Sequence, residues 1–119
     1  MICIEGPNDN NVLSVTASGK LRKSDYIPLV PRMEELVNSY GKLNFFIKLQ
    51  DFTGFEIAAM WEDIKLDIKY KDNYGKIAIV GEKRWEKWGT KISGLFFSAP
   101  TKFFYSDKSE QAWQWINSE

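Results

Sequence analysis

The chain has 119 residues, a hydrophobic fraction of 44%, and 16 basic residues against 16 acidic ones. This length and composition predict a single folded domain over residues 1–119 and exclude a disordered chain. The zero net charge excludes a nucleic-acid partner bound through a broad basic field.

A β-hairpin is predicted at the start of the chain. Residues 1–5 and 12–17 have the β-branched composition of strands, with Val12, Val15 and Thr16 in the second run. Between them, residues 6–11 are a dense cluster of turn formers, which predicts that the two strands lie side by side.

The first helix is predicted from apolar residues that recur at helical spacing, namely Leu29, Met33, Leu36 and Tyr40. Ser24 or Asp25 is the predicted cap of its amino end. Gly41 stands where the end of a helix favours a left-handed residue.

The middle of the chain predicts a strand at 42–49, a connecting loop at 51–54 and a second helix. Thr53 and Glu56 form the T-x-x-E pattern of a capping box, which marks the start of that helix. Its apolar stripe consists of Ile57, Trp61, Ile64 and Ile68.

The last third predicts two strands and two helices. The run KIAIV at 76–80 is typical of a short buried strand, and a third helix is predicted over residues 83–95. A strand follows at 101–105, after which Asp107 and Glu110 are expected to cap a closing helix that ends near residue 116.

The predicted order is β-β-α-β-α-β-α-β-α. Strands that alternate with helices after an opening hairpin predict the α/β class. The expected architecture is a mostly parallel central β-sheet with an N-terminal β-hairpin and about four flanking helices.

The residue types that are missing limit the chemistry of this chain. It has no histidine and a single cysteine, Cys3. Catalysis that uses histidine, histidine metal sites, thiolate metal clusters and an internal disulfide are therefore excluded, and we expect neither a cofactor nor a metal. No apolar run approaches the ~20 residues that span a bilayer, and no signal pattern opens the chain, so we expect a cytoplasmic protein.

The stretch 81–116 holds four of the five tryptophans, and its first part is the candidate contact surface. In the third predicted helix, Trp85, Trp88 and Ile92 share one face, and Arg84, Lys87 and Lys91 form a basic face beside it. Such a helix suits a membrane interface with anionic lipid, and it equally suits packing on the sheet with solvated lysines. Core packing explains most of the remaining aromatic residues in the last strand and the closing helix, which are Phe103, Phe104, Trp113 and Trp115.

A second candidate is an apolar cleft between the second and third predicted helices. Trp61 lies on the apolar stripe of the second helix, and Phe52 and Phe55 precede that helix. If the two helices are neighbours, Trp61 converges with Trp85 and Trp88 and lines a small-molecule site, although a filled core explains the same residues.

Thr53 is a weak candidate for phosphorylation, because the amino end of a helix stabilises a phosphate group. Its role as a helix cap explains the same residue without a function. The acidic residues contain no distinctive pair for acid–base catalysis, and the glycines match neither a P-loop nor a dinucleotide-binding fingerprint.

The segments GEKRWEKWGTKI and KFFYSDKSEQAWQWI resemble the SpoIIAA-like family, which belongs to a structural group with STAS and CRAL-TRIO lipid-carrier domains. The segment SDYIPLVPRMEELVNSYGKLNFFI and the DFTGFE turn resemble the same family. The likeness covers residues from about 10 to 117 and does not depend on a catalytic motif.

The resemblance implies an α/β fold with a central, mainly parallel sheet, and it implies no enzyme activity. Related proteins include carriers of apolar ligands and bacterial anti-anti-sigma regulators with an Asp-Ser-Ser-Gly phosphorylation motif. At the equivalent turn this chain has Asp51-Phe52-Thr53-Gly54, which lacks both serines.

Two functions from different classes are therefore predicted. The first is a non-enzymatic binding module for a small apolar or lipid-like ligand, with reversible contact to the inner face of the membrane. The alternative is a regulatory protein-interaction module of the anti-anti-sigma type. Nucleic acid is not an expected partner, and a homodimer is left open.

Overall fold

Five β-strands are the main elements of the computed structural model, which describes residues 1–55, 74–86 and 100–118. The strands are β1 (Ile2–Glu5), β2 (Val12–Leu21), β3 (Leu43–Phe55), β4 (Tyr74–Gly81) and β5 (Thr101–Tyr105). The helices are α1 (Lys23–Tyr26), α2 (Leu29–Tyr40) and α3 (Ser109–Asn117), and 3₁₀ turns lie at Lys83–Trp85 and Ser106–Lys108.

The sheet has the strand order β1-β2-β3-β4-β5 and is mixed. The hairpin pairing of β1 with β2 is antiparallel, and the other three pairings are parallel. The α/β class and the opening hairpin are thus confirmed, while the description of a mostly parallel sheet is corrected to a mixed one. The antiparallel edge arises because only a short turn, residues 6–11, joins β1 to β2.

The described residues hold two helices longer than one turn, α2 and α3, which is fewer than the four predicted. Most of the second and third predicted helices falls on residues 56–73 and 87–99, outside the described ranges. At the start of the third, Lys83–Trp85 forms a 3₁₀ turn.

Helix α2 places Met33, Leu29 and Leu36 of the predicted apolar stripe against the core, while Tyr40 is exposed, and the helix ends at the predicted glycine. Gly41 has a φ of 74° and donates its N–H to the Val37 carbonyl at 2.8 Å. The predicted cap is wrong, because Asp25 lies in the separate turn α1, where its carboxylate accepts the N–H of Arg22 at 2.8 Å. Pro28 instead precedes the first residue of α2.

Strand β3 extends past the predicted strand end at residue 49 and includes the DFTG segment. Its pairing with β2 shifts register twice there, because Gly19 pairs with Phe52 and Lys20 pairs with Gly54. The predicted loop at 51–54 and the Thr53 helix cap are therefore wrong. Two bulges let the strand continue, and they bury Phe52 to 3% exposure.

Each face of the sheet carries its own apolar core. On one face, buried residues of β2, β3 and β4 pack with Met33 of α2 and with Trp85. On the other face, α3 places Ala112 and Ile116 against Phe46, Ala78 and Val80. Helices on both sides of a buried sheet are the expected α/β arrangement.

Polar side chains hold the carboxyl end of α3 in place. The Lys76 ammonium donates to the carbonyls of Trp115 at 2.8 Å and Ser118 at 2.6 Å. Asn117 accepts the side-chain amides of Asn8 at 2.9 Å and Asn10 at 3.0 Å. The Lys76 bonds go to backbone carbonyls at the helix end, which a helix otherwise leaves without partners, and the two asparagine bonds go to the Asn117 side chain. The predicted cap at the amino end is wrong, since Asp107 makes no capping bond there.

Candidate functional site

A cavity of about 300 Å³ opens beyond the last pairing between β3 and β4, which is Lys48 with Val80. Strand β3 continues past this point while β4 ends, so a notch forms beside the carboxyl end of β4 and the amino end of α3. The cavity is lined by Lys48, Leu49, Gln50, Asp51, Val80, Glu82, Trp85, Ser106 and Ser109.

Polar side chains form most of this lining. Lys48, Gln50, Asp51 and Glu82 are exposed, while Leu49 and Val80 are buried to 5% and 3% exposure. The residues of the lining carry an ammonium, an amide, two carboxylates and two serine hydroxyls, and one of the carboxylates, Glu82, pairs with Arg84. The cavity suits a ligand or side chain that makes hydrogen bonds more than it suits an apolar chain.

The backbone is unusual where β3 borders the cavity. Asp51 has a φ of 50°, in the left-handed region that residues other than glycine seldom adopt. Aspartate tolerates this conformation better than most residues, and the first bulge of β3 places it there. Bulges of this kind often redirect side chains beside functional sites.

Three of the predicted contact residues lie together. Trp85 is buried to 6% exposure, and its ring contacts Phe52 edge-on with centroids 6.3 Å apart. The Arg84 guanidinium lies 5.0 Å from the Trp85 ring centroid and also pairs with Glu82. Trp85 thus belongs to the core and touches the cavity at one edge.

Gly81 permits this position of Trp85. A Cβ at Gly81 would lie 3.2 Å from Cε3 of Trp85 and 3.3 Å from Cδ1 of Leu49, closer than side chains normally pack. Membrane insertion of Trp85 would require its ring to leave this close packing.

The structure does not describe the side chains of the other predicted contact residues. The side chains outside the described set are Phe55, Trp61, Lys87, Trp88, Lys91 and Ile92. Their role in an apolar cleft or at a membrane stays a prediction. Thr53 is exposed in β3 and does not line the cavity, and its phosphorylation likewise stays a prediction.

The sequence reasoning missed most of the cavity lining. Lys48 lies in the predicted strand at 42–49, Asp51 in the predicted loop at 51–54 and Gln50 between them, while Ser106 and Ser109 flank the predicted helix cap Asp107. The sequence did contain one signal for this site, namely polar residues at the carboxyl ends of predicted strands. Ligands of open α/β sheets bind outside those ends of the parallel strands. Polar residues at the ends of two predicted neighbouring strands could have been combined on that rule.

Beside the cavity, the Tyr105 hydroxyl donates a hydrogen bond of 2.9 Å to Oε2 of Glu86. This bond, then desolvation and the negative charge of Glu86, raises the pKa of Tyr105 above its usual value of 10.0. The bond ties the end of β5 to the residue that follows the 3₁₀ turn of Trp85.

We expect Glu86→Gln to bring the pKa of Tyr105 back toward its usual value, because the carboxylate that favours the protonated hydroxyl is gone. Any stability from the raised pKa is present below the unfolded-state pKa of tyrosine and is lost as pH rises through the folded-state value. Tyrosinate absorbance isolates this residue among five tyrosines when it is measured as the difference made by Tyr105→Phe, once in the parent chain and once in Glu86→Gln. An unchanged midpoint in Glu86→Gln would contradict the assignment.

Within residues 1–55, 74–86 and 100–118, no group of three or more acidic, cysteine or histidine side chains is placed to hold a metal ion. In the same part of the chain, no helix combines the length and the hydropathy needed to cross a bilayer.

Comparison with known proteins identifies relatives of this fold. The family model described as SpoIIAA-like matches residues 12–117. A solved structure from Shewanella loihica PV-4, an uncharacterized protein of the DUF3478 family with a SpoIIAA-like fold, superimposes with a TM-score of 0.78 at 27% identity. The match covers 98% of this chain and 92% of that one. The search of curated proteins finds no match.

Proposed function

The chain belongs to the SpoIIAA-like family, and on that premise we propose that it is a non-enzymatic regulatory module that binds another protein, as anti-anti-sigma STAS domains do. The polar cavity beside β3 at the carboxyl end of β4 is the observation that carries this proposal. Binding sites of open α/β sheets form at this edge because loops and helix amino ends converge there.

The chemistry of the cavity favours a protein surface as the partner. Lys48 and Asp51 carry opposite charges, and Gln50 and the two serines donate and accept hydrogen bonds. Interfaces between proteins that associate reversibly have this mixture of charged, polar and buried apolar groups. The floor of Leu49 and Val80 supplies the apolar part.

The non-enzymatic part of the proposal is supported by the composition. The chain has no histidine, so the commonest acid–base group near neutral pH is missing. One of the two carboxylates in the cavity, Glu82, is paired with Arg84. This ion pair suits a role in positioning more than a role in proton transfer.

The module for an apolar or lipid-like ligand stays a prediction. Among the described residues, the cavity has a mostly polar lining and Trp85 packs in the core, so neither favours that function. Both comparisons name the SpoIIAA-like family or fold and neither names a ligand.

We expect Lys48→Glu to weaken partner binding at least about tenfold, because it reverses the one positive charge in the lining of the cavity. The matched control is Lys42→Glu, which makes the same charge change at an exposed position just before the amino end of β3. Quantitative mass spectrometry of proteins captured from cells would compare the two variants with the parent chain.

The proposal predicts that the parent chain and Lys42→Glu both capture the same partner protein and that Lys48→Glu does not. Asp51→Gly sharpens the test, because glycine accepts the positive φ of the bulge while the carboxylate is removed. Equal capture by the parent chain, Lys48→Glu and Asp51→Gly would reject the cavity as the recognition site.

A further inference from the structure

Strand β1 lies at one end of the sheet, and within the described ranges no strand pairs with its outer edge. It consists of Ile2, Cys3, Ile4 and Glu5, so it is short and has one charged residue at its end, and it contains no lysine, proline or bulge. Natural sheets usually protect an open edge with such features, because free backbone groups otherwise pair with another strand.

The hydrogen bonds to β2 determine which backbone groups face outward. The Met1 ammonium donates to the Ser18 carbonyl at 2.8 Å, and the Ser18 N–H donates to the Met1 carbonyl at 2.9 Å. Residues 1 and 18 are therefore a hydrogen-bonded pair of the antiparallel ladder. Because such pairs alternate, residues 3 and 5 point their backbone groups at β2, and Ile2 and Ile4 point theirs outward.

The first strand is also held firmly at its start. Besides its bond to Ser18, the Met1 ammonium lies 3.4 Å from the Asp25 carboxylate. The side chains of Ile2 and Ile4 are half-buried and pack on the core that includes α2. The open edge is thus a fixed part of the sheet, ordered before any second strand arrives.

We propose that β1 pairs with β1 of a second copy of this chain, antiparallel and about a two-fold axis at Cys3. Of the antiparallel registers that pair outward-facing residues of β1 and keep the isoleucines on one face, the one that places Ile2 opposite Ile4 of the second copy uses both outward-facing residues of each strand. It makes four backbone hydrogen bonds, two at each pair of isoleucines. The two sheets become one continuous sheet.

The charges in this register are complementary. It sets Glu5 across from residue 1 of the second copy, whose ammonium is positive, and it keeps the two Glu5 carboxylates apart. The apolar faces of four isoleucines become contiguous, which removes more of their half-buried surface from water. A second copy therefore fits the edge in hydrogen bonding, in side-chain face and in charge.

Cys3, the single cysteine of the chain, provides a direct probe. In the proposed register the two Cys3 residues form a non-hydrogen-bonded pair with Cα atoms ~4.5 Å apart, within the range that a disulfide spans. We expect diamide, which accepts the two electrons and two protons, to link folded chains at least about tenfold faster than chains unfolded in urea at equal concentration. Equal or slower linking of the folded chain would overturn the proposal.

A pair of variants tests the backbone bonds without the disulfide. In a Cys3→Ser background, Ile4→Pro removes an outward N–H that β2 does not use, and Ile4→Ala removes the side chain and keeps that N–H. Sedimentation velocity should give a dimer dissociation constant about thirtyfold higher for the proline variant than for the alanine variant, because two hydrogen bonds are lost per dimer. Equal constants, or a Cys3→Ser chain that stays monomeric at every concentration, would overturn the proposal.

Discussion

Replacing Ile116 with alanine is expected to lower the free energy of unfolding by about 3 kcal/mol, since the change leaves a cavity in a core that cannot fully close it. Ile116 is 0% exposed and lies with Phe46, Ala78 and Val80 in the core beneath α3. Urea denaturation monitored by tryptophan fluorescence measures the change.

The control for this substitution is Gln114→Ala, on the exposed face of the same helix. We expect a change of less than about 0.5 kcal/mol, because surface substitutions away from special contacts seldom exceed that. A loss below about 1 kcal/mol for Ile116→Ala would show that α3 contributes little to this core. The outcome also bears on the cavity, since α3 begins at Ser109 in its lining.

Gly75→Ala is expected to lower the free energy of unfolding by about 2 to 3 kcal/mol, through crowding and a lost hydrogen bond. A Cβ at Gly75 would lie 2.0 Å from Oδ1 of Asn44, so Asn44 must move. That oxygen accepts the N–H of Lys76 at 2.7 Å, and the movement would break this link between β3 and β4. Thermal and urea unfolding both report the loss.

A double-mutant cycle with Asn44→Ala separates crowding from other effects of the new methyl group. In the Asn44→Ala background, the added cost of Gly75→Ala should fall below about 1 kcal/mol, because the clashing side chain is gone. Gly19→Ala is a useful contrast, since Gly19 has open space around it but a φ of 66°. We expect it to cost about 1 kcal/mol through backbone strain alone. An unchanged cost in the Asn44→Ala background would contradict the crowding argument.

Local patterns in the sequence predicted most of the described elements. The β-branched run at 76–80 lies within β4, the strand at 101–105 is β5, and the helical spacing through Met33 is α2. These predictions succeed because a buried strand or an amphipathic helix leaves its period in neighbouring residues. The family likeness also rests on such contiguous segments, and the match over residues 12–117 confirms it.

Local patterns failed where pairing between distant strands overrides them. The T-x-x-E pattern at Thr53 predicted a helix start, but pairing with Lys20 and its neighbours on β2 keeps the segment extended. The gain from burying Phe52 in the core and continuing the ladder exceeds the gain from one cap. In the same way, Trp85 was a candidate for an exposed contact, and the close approach that Gly81 allows places its ring in the core.

By itself, the sequence determined the α/β class and the family. It also excluded reactions that depend on histidine, because the chain has none. Composition and periodicity carry that information because they do not depend on which distant residues meet. Only the tertiary structure decided where the site lies: Lys48, Glu82 and Ser109 come from three separate segments. They meet because β3 continues past the end of β4, and the bulge at Asp51 allows β3 to continue. This arrangement depends on the register of the whole sheet.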